Sequence, residues 1–506
     1  VSVERHIQAR ENGGPDGVST LDPGDDVAAT GPLGETGDSA HDDVLSLSRA
    51  KKLRGAVTFP GDAHQAMLAC AIASLSPEPT RLGNLPDAAW FADYRAALES
   101  LGVAFEAADE GHMLVRGPRD GLASPSAALV ARHELAALIL AGLCSGRGLN
   151  VSLKLHPSEI PGDTLALLKA LWPRPADAGE PGEHEWTIGA LTPKARGIVK
   201  PYERKWDDGA TKVALLFHHL AAGESLELHL RRQGSDLLEN LLRHFEVALK
   251  VESDDDKDAD ELTRRIARQM RAAGKEIPVT RLKLAAGSRP TPAFLVLAGD
   301  VTEASAVALA ATLVKGSDVM LEQVLLNTGR AAFFAALRRM GADVEVVQRR
   351  EPRQGGGEAQ GTVRVRTSDM MAKRFDADTL IDLRDETFLL LAASAYAEGE
   401  SVFRDLDWLR LGPVDRLREF TAALKRGGVE TGEIEDGVVI RGRAESDGAA
   451  FDSLGHSGLA AACAVMAFKS HGASTLAGAA ALSHRHPGLL ARIHALGGAA
   501  PAEAAS

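Results

Sequence analysis

Thiols, imidazoles and clustered carboxylates are where this chain could do chemistry. Cys70, Cys144 and Cys463 lie far apart, each inside an Ala/Leu-rich stretch with helical spacing, which implies packing rather than thiol chemistry. His218 and His219 are adjacent. On a helix they point about 100° apart, whereas a helical zinc pair needs positions i and i+4. The acidic run from Ser253 to Glu261 has neither the turn glycine nor the spaced ligands of a calcium loop. It reads as a solvated loop ahead of an exposed Lys/Arg-rich helix, Arg264 to Lys275. There is no Gly-rich nucleotide loop and no metal-ligand spacing, so neither a cofactor nor a metal is expected.

The elements that would position any site repeat along the chain. Between Val301 and Val347 the pattern is helix, strand, helix, strand: an apolar segment to Leu313, a Lys315-Gly316 break, Asp318 to Leu325, Ala331 to Met340, then Asp343 onward. The same grammar occurs six times, with Ala/Leu-rich first helices around Leu68, Leu135, Val213, Ala306, Phe388 and Ala460. Second helices follow at Asp93 to Leu101, Asp163 to Leu171, Asp236 to Phe245, Ala331 to Met340, Val414 to Lys425 and Gly488 to Leu496. Asp93, Asp163 and Asp236 are expected to cap the helices they open, and Gly102, Gly341, Gly427 and Gly497 to end theirs. A period of roughly 70–90 residues exceeds that of solenoid repeats. Six copies therefore suggest two domains of three units each.

Composition narrows the class further. A chain of 506 residues with 45% apolar residues has ample core. No apolar run reaches the length of a membrane span, and no basic start precedes an apolar signal core, so a cytoplasmic protein without membrane contact is expected. The net charge of −13 argues against a nucleic-acid binder that neutralises phosphates. Residues 1–44, rich in Gly, Pro, Asp and Ser, read as a disordered acidic tail. Gln354 to Gly361, with three consecutive glycines, reads as a loop between strands.

Several motifs carry a resemblance. They are Gly61-Asp62 before the first unit, Gly299-Asp300 before the fourth, Leu326-Asn327 with Arg330, Leu383 with Asp385-Glu386 before an Ala-rich helix, and Arg410 to Arg416 before another. In these the chain resembles the 5-enolpyruvylshikimate-3-phosphate synthase family over about residues 46–498, most closely over 298–432. The resemblance implies an α/β fold, a two-domain inverted α/β barrel with six helix-strand-helix-strand units, three per domain. One domain would span 61–287 and the other would combine 45–60 with 288–500. Family members bind shikimate 3-phosphate and phosphoenolpyruvate in the cleft between the domains. Holding two polyanions takes bidentate Arg, Lys and helix N-termini, and the transfer needs an acid and a base.

By that resemblance Asp385 matches a shikimate-binding candidate base, with Glu386 beside it, and Arg416 matches a phosphoenolpyruvate contact. Asn327 and Arg330 match a motif that sets the turn before a helix. Other family positions differ. Ala63-His64-Gln65 stands where Lys-Ser and an Arg belong, and Val130 to His133 replaces an Asn-x-Gly-Thr turn. Ile160-Pro161 replaces Arg-Pro, Asp207-Asp208-Gly209 replaces hydroxyl donors, Gly412-Pro413 replaces Lys-Glu, and Gly455-His456-Ser457 replaces Asp-His-Arg. The last Lys falls at His484. Lys200, Arg204, Lys205, Lys212 and Arg232, with His484-Arg485-His486, lie near these positions and could form a remodelled anion pocket, although surface charges are the plainer reading. A helix cap for Asp385 and an exposed ion pair for Asp415-Arg416 are likewise the plainer readings there.

The candidate catalytic residues are thus Asp385 and Glu386, and the candidate substrate-binding residues are Arg416, Arg330, Lys212 and His484. The expectation is a diverged family member with an impaired site that serves as a structural or regulatory partner of another protein. The alternatives are an active enolpyruvyl transferase using phosphoenolpyruvate with shikimate 3-phosphate or another hydroxyl acceptor, and a small-anion binding module. The sister transferase acting on a UDP-sugar fits poorly, because its loop Cys and Lys-Asn pair are missing.

Overall fold

The computed structural model describes residues 43–175, 184–201, 207–231, 234–253, 279–352, 357–411, 414–443 and 445–497. Most of the expected acidic tail, nearly all of the acidic run and the whole basic segment after it lie outside these residues, as do Arg204, Lys205, Arg232 and Gly412-Pro413. Of the tail, Val44 already belongs to a strand, Val44–Leu47, paired with Ser474–Ala477.

Six inner helices are α1 (Ala63–Ala73), α3 (Glu134–Gly146), α5 (Asp208–Ala222), α7 (Val301–Leu313), α9 (Thr387–Ser394) and α11 (Ser457–Ala467). Every residue of α7, α9 and α11 is buried, as a helix that is apolar on all sides requires. Outer helices follow at α2 (Ala89–Ser100), α4 (Gly162–Leu171), α6 (Leu237–His244), α8 (Ala332–Arg339), α10 (Arg416–Arg426) and α12 (Leu489–Leu496). Each of these buries one stripe and leaves the rest to solvent.

Strands of the described residues form six small sheets. In Leu226–Leu230, Thr280–Leu284 and Gln360–Arg366, buried residues alternate with half-buried ones, so one face packs on helices. In four units the strand before the inner helix pairs in parallel with the strand after it, as Leu129–Ala131 does with Ser152–Leu155 around α3. The remaining two units exchange partners. Arg54–Val57 leads into α1 but pairs with Asp318–Leu325, which follows α7. Phe294–Val296 leads into α7 but pairs with Thr80–Gly83, which follows α1. The chain crosses itself where Gly61 bridges Gly299. A Cβ on Gly61 would sit 2.0 Å from the Asn84 carbonyl oxygen, so only glycine fits this crossing.

Two hydrophobic cores lie on either side of the crossing. One gathers α1 to α6 with Leu295 and Leu297, and the other gathers Leu47, Leu53 and Phe59 with α7 to α12. No described helix is long and apolar enough to cross a membrane. The three cysteines are buried in inner helices, and burial raises the Cys144 thiol to about 12.

The expected acidic caps of the outer helices do not form. α2 begins at Ala89, which leaves Asp93 in its interior. Pro161 takes the N-cap position of α4, while Asp163, inside the first turn, accepts from Thr164 N at 2.9 Å as well as from Arg384. Asp236 does occupy the N-cap position of α6, but its carboxylate accepts from Asn327 at 2.7 Å instead.

Candidate functional site

All six inner helices present their N-termini to a cleft between the cores. His64 from α1, Glu134 from α3, Ala210 from α5, Arg330 before α8 and Asp385 before α9 line a cavity of about 160 Å³. A smaller one of about 40 Å³ adjoins it, lined by Glu159, Thr302, Ser457 at the start of α11, and Arg485. His133, Glu134, Arg384 and Asp385 border both.

Convergent helix N-termini are ready-made anion sites, because unpaired N–H groups and the dipoles point the same way. Here the chain's own side chains occupy five of the six, all but that of α9. Asp62 accepts from Gln65 N, Asp207 from Ala210 N and Asp300 from Glu303 N. His133 Nδ1 accepts from Leu135 N and His456 Nδ1 from Leu459 N. At α11 the Glu159 carboxylate, from the opposite core, accepts from the Ser457 backbone N–H at 2.8 Å and from its hydroxyl at 3.2 Å. Burial raises Glu159 to about 7, more than the two Ser457 contacts and nearby arginines lower it.

The cations of the cleft are engaged in the same way. Arg330 is buried, donates to Asp385 at 3.4 Å and to the Thr302 hydroxyl at 3.1 Å, and lies 3.7 Å from both Asp62 and Glu386. Lys212 donates to Glu239 at 2.9 Å and to the Ser235 carbonyl at 2.6 Å, with both side chains almost wholly buried. Arg384 reaches across the cleft to Glu134 at 3.1 Å and Asp163 at 2.8 Å, its guanidinium 4.4 Å from the Trp408 ring centre. Burial alone would lower the pKa of Arg330 and Arg384, but their carboxylate partners raise both. Arg485 lies over the Trp90 ring at 4.6 Å.

The candidate residues separate accordingly. Asp385, Arg330 and Lys212 line the larger cavity. Asp385 does not cap α9, whose N-cap position is Glu386; its Oδ2 lies 2.8 Å from His64 Nε2. At this distance the imidazole and the carboxylate form an ion pair. Burial would raise Asp385, but His64, Arg330 and His133 together hold it well below the usual carboxylate range. Glu386 is fully buried behind it, accepting from the Thr302 hydroxyl at 2.6 Å, and burial raises it to about 7.

Arg416 lines neither cavity. It is buried and donates to the Pro157 and Ser158 carbonyls, which overturns the exposed Asp415-Arg416 pair. Asp415 instead caps α10 and pairs with Arg410. His484 lies 3.4 Å from Asp93, a carboxylate it shares with Arg132. Lys212 is not a surface charge. Gln65, where an Arg was expected, is buried on α1 and accepts from Ala298 N. His218 and His219 are buried within α5, and His218 faces Trp172. His133, Glu134, Glu159, Asp163 and Arg384 were not among the candidates. Their only signal is position, in or just before a helix that borders the cleft.

Inner helices ringed by small mixed sheets, with strands exchanged at a crossing, define an enolpyruvyl transferase fold. Solved structures agree. An EPSP synthase from Acinetobacter baumannii superimposes with a TM-score of 0.67 at 20% identity, covering 90% of this chain and 98% of that one. The enolpyruvyl transferase NikO from Streptomyces tendae gives 0.65 at 16% identity, covering 90% and 98%. Within that class, the family model for EPSP synthase (3-phosphoshikimate 1-carboxyvinyltransferase) matches residues 263–490. The 3-phosphoshikimate 1-carboxyvinyltransferase of Thermus thermophilus is 30% identical over 422 residues, 79% of this chain and 87% of that protein. Its counterpart in a Synechococcus is 28% identical over 448 residues, 86% and 93% respectively. The chain belongs to the EPSP synthase family.

Proposed function

We propose that this chain is a family member that no longer performs enolpyruvyl transfer, and that it acts in the cytoplasm as a structural or regulatory partner of another protein. The reading includes two domains, 61–287 and 45–60 with 288–500, a division supported by the two cores. One observation carries it: Lys212, Arg330 and Arg384, which line the larger cavity, are held by the chain's own carboxylates. Removing the partner from a buried pair costs about 3–5 kcal/mol, whereas a charged hydrogen bond to a substrate returns about 1.5–3 kcal/mol. A phosphate or carboxylate must therefore compete with these partners for each cation.

Phosphorus NMR of near-stoichiometric protein with phosphoenolpyruvate and shikimate 3-phosphate tests the reading. Unchanged signals are expected; free phosphate with a new enolpyruvyl product would overturn it. The second reading, an active transferase on shikimate 3-phosphate or another hydroxyl acceptor, draws on the contact between His64 and Asp385 in the larger cavity. A carboxylate beside an imidazole is the kind of pairing general-base catalysis uses. Product formation that disappears in Asp385→Asn would decide for it.

A further inference from the structure

We propose that His64, His133 and Asp385 form a binding site for one first-row divalent cation of the zinc class, placed across the cleft. Their candidate ligand atoms all lie within 4.8 Å of one another. His64 and His133 stand at the N-termini of α1 and α3, on one core, and Asp385 precedes α9 on the other. The imidazole rings meet edge to face with centroids 5.3 Å apart. His64 Nε2 already pairs with Asp385 Oδ2 at 2.8 Å, which an ion inserted between them would replace. A tetrahedral ion with bonds of about 2.0–2.1 Å sets its ligands roughly 3.4 Å apart. Small rotations that widen the close pair and draw His133 inward would reach that geometry.

Two imidazoles and one carboxylate select Zn²⁺, Co²⁺ or Ni²⁺ over Mg²⁺ or Ca²⁺, which take oxygen ligands. The surroundings accept a cation. Arg330 lies 3.4 Å from Asp385 Oδ2, and Lys212 and Arg384 line the same cavity. But Asp62 and Glu386 face Arg330, Glu239 holds Lys212, and Glu134 and Asp163 hold Arg384. Asp207 and Asp382 add two more carboxylates at the cavity wall. His133 Nδ1 accepts the Leu135 N–H, so in the metal-free chain its proton sits on Nε2. For Nε2 to hold the ion, that proton must leave or move to Nδ1, at the cost of the Leu135 cap bond. The ligands come from both cores, so the ion would act as a clasp holding the cleft shut. Substrate turnover plays no part in this, and the test uses neither substrate.

Calorimetric titration of the chelator-treated full chain with ZnCl₂, and visible absorption with Co²⁺, test the site. One ion per chain is expected, with affinity lowered at least 30-fold in His64→Gln and in Asp385→Asn and unchanged in His471→Ala, whose ring is exposed elsewhere. Circular dichroism establishes that each variant is folded. If Asp385→Asn does not fold, His64→Gln and His133→Gln carry the test. Absence of saturable binding, or binding that survives these substitutions, would overturn the proposal.

Discussion

Asp62 and Asp300 cap each other's helices. Asp62 accepts from Gln65 N at the start of its own helix α1 and from Val301 N at the start of α7. Asp300 accepts from Glu303 N in α7 and from Ala63 N in α1. Backbone bonds from Asp62 N to Ala298 O and from Asp300 N to Pro60 O complete the exchange. The point where the chain passes between the two cores is therefore one reciprocal unit.

Asp300→Ala should destabilise the protein by roughly 2–4 kcal/mol, since two cap bonds of about 1 kcal/mol each are lost and buried N–H groups are orphaned. Urea unfolding measures this. In a double-mutant cycle with Asp62→Ala, the two losses should fail to add, because both act on the same pair of helix starts. Additive losses would mean that each carboxylate serves only its own helix.

Arg384 offers a second test. Arg384→Met removes the cation between the half-buried Glu134 and Asp163, and the stranded carboxylates should cost about 1–3 kcal/mol. Neutralising both, in Arg384→Met/Glu134→Gln/Asp163→Asn, should recover part of that loss in urea unfolding. A triple variant no more stable than the single one would place the role of Arg384 in its contact with Trp408.

The helices were legible because a long Ala/Leu-rich segment without a polar face has to be enclosed. α7 fills the expected first helix of its unit, and Asp318–Leu325 is the strand read from the sequence. The exchange of strands was not legible, since Arg54 pairs with Asp318 far along the chain and no local pattern encodes the partner. The same holds at the cleft. Side-chain type and resemblance picked out Arg330, Lys212 and Asp385, but what neutralises them was hidden. Lys212 and Glu239 sit on different helices, and Arg384 meets carboxylates from two helices of another unit. The cluster of His64, His133 and Asp385 draws on three units, so no ligand spacing could announce it.

A third prediction concerns the packing of α3 on α5. A Cβ on Gly142 would lie 2.6 Å from the Ala214 carbonyl oxygen, and one on Gly146 would lie 2.2 Å from that of His218. On an exposed helix, Gly→Ala gains up to about 1 kcal/mol. Here backbone meets backbone, so Gly146→Ala should instead lose about 1–3 kcal/mol through overpacking. A raised melting temperature would mean that the two helices do not touch.

The fourth prediction follows from Glu159, whose carboxyl is pushed by burial from an ordinary value near 4.5 up to about 7. The folded chain holds this proton more tightly than the unfolded one, so its contribution to stability is complete below about pH 4.5. It declines as pH rises and is gone above 7. Over that window one titrating carboxyl accounts for up to about 3 kcal/mol, at 1.36 kcal/mol per unit. Glu159→Gln keeps an oxygen for the Ser457 N–H but has no proton to lose. The variant should therefore gain on the parent chain steadily between pH 4.5 and 7.5 in urea unfolding. A constant difference across that range would show that Glu159 is ionised at the start of α11 at every pH tested, held as a carboxylate by the helix dipole and Arg416.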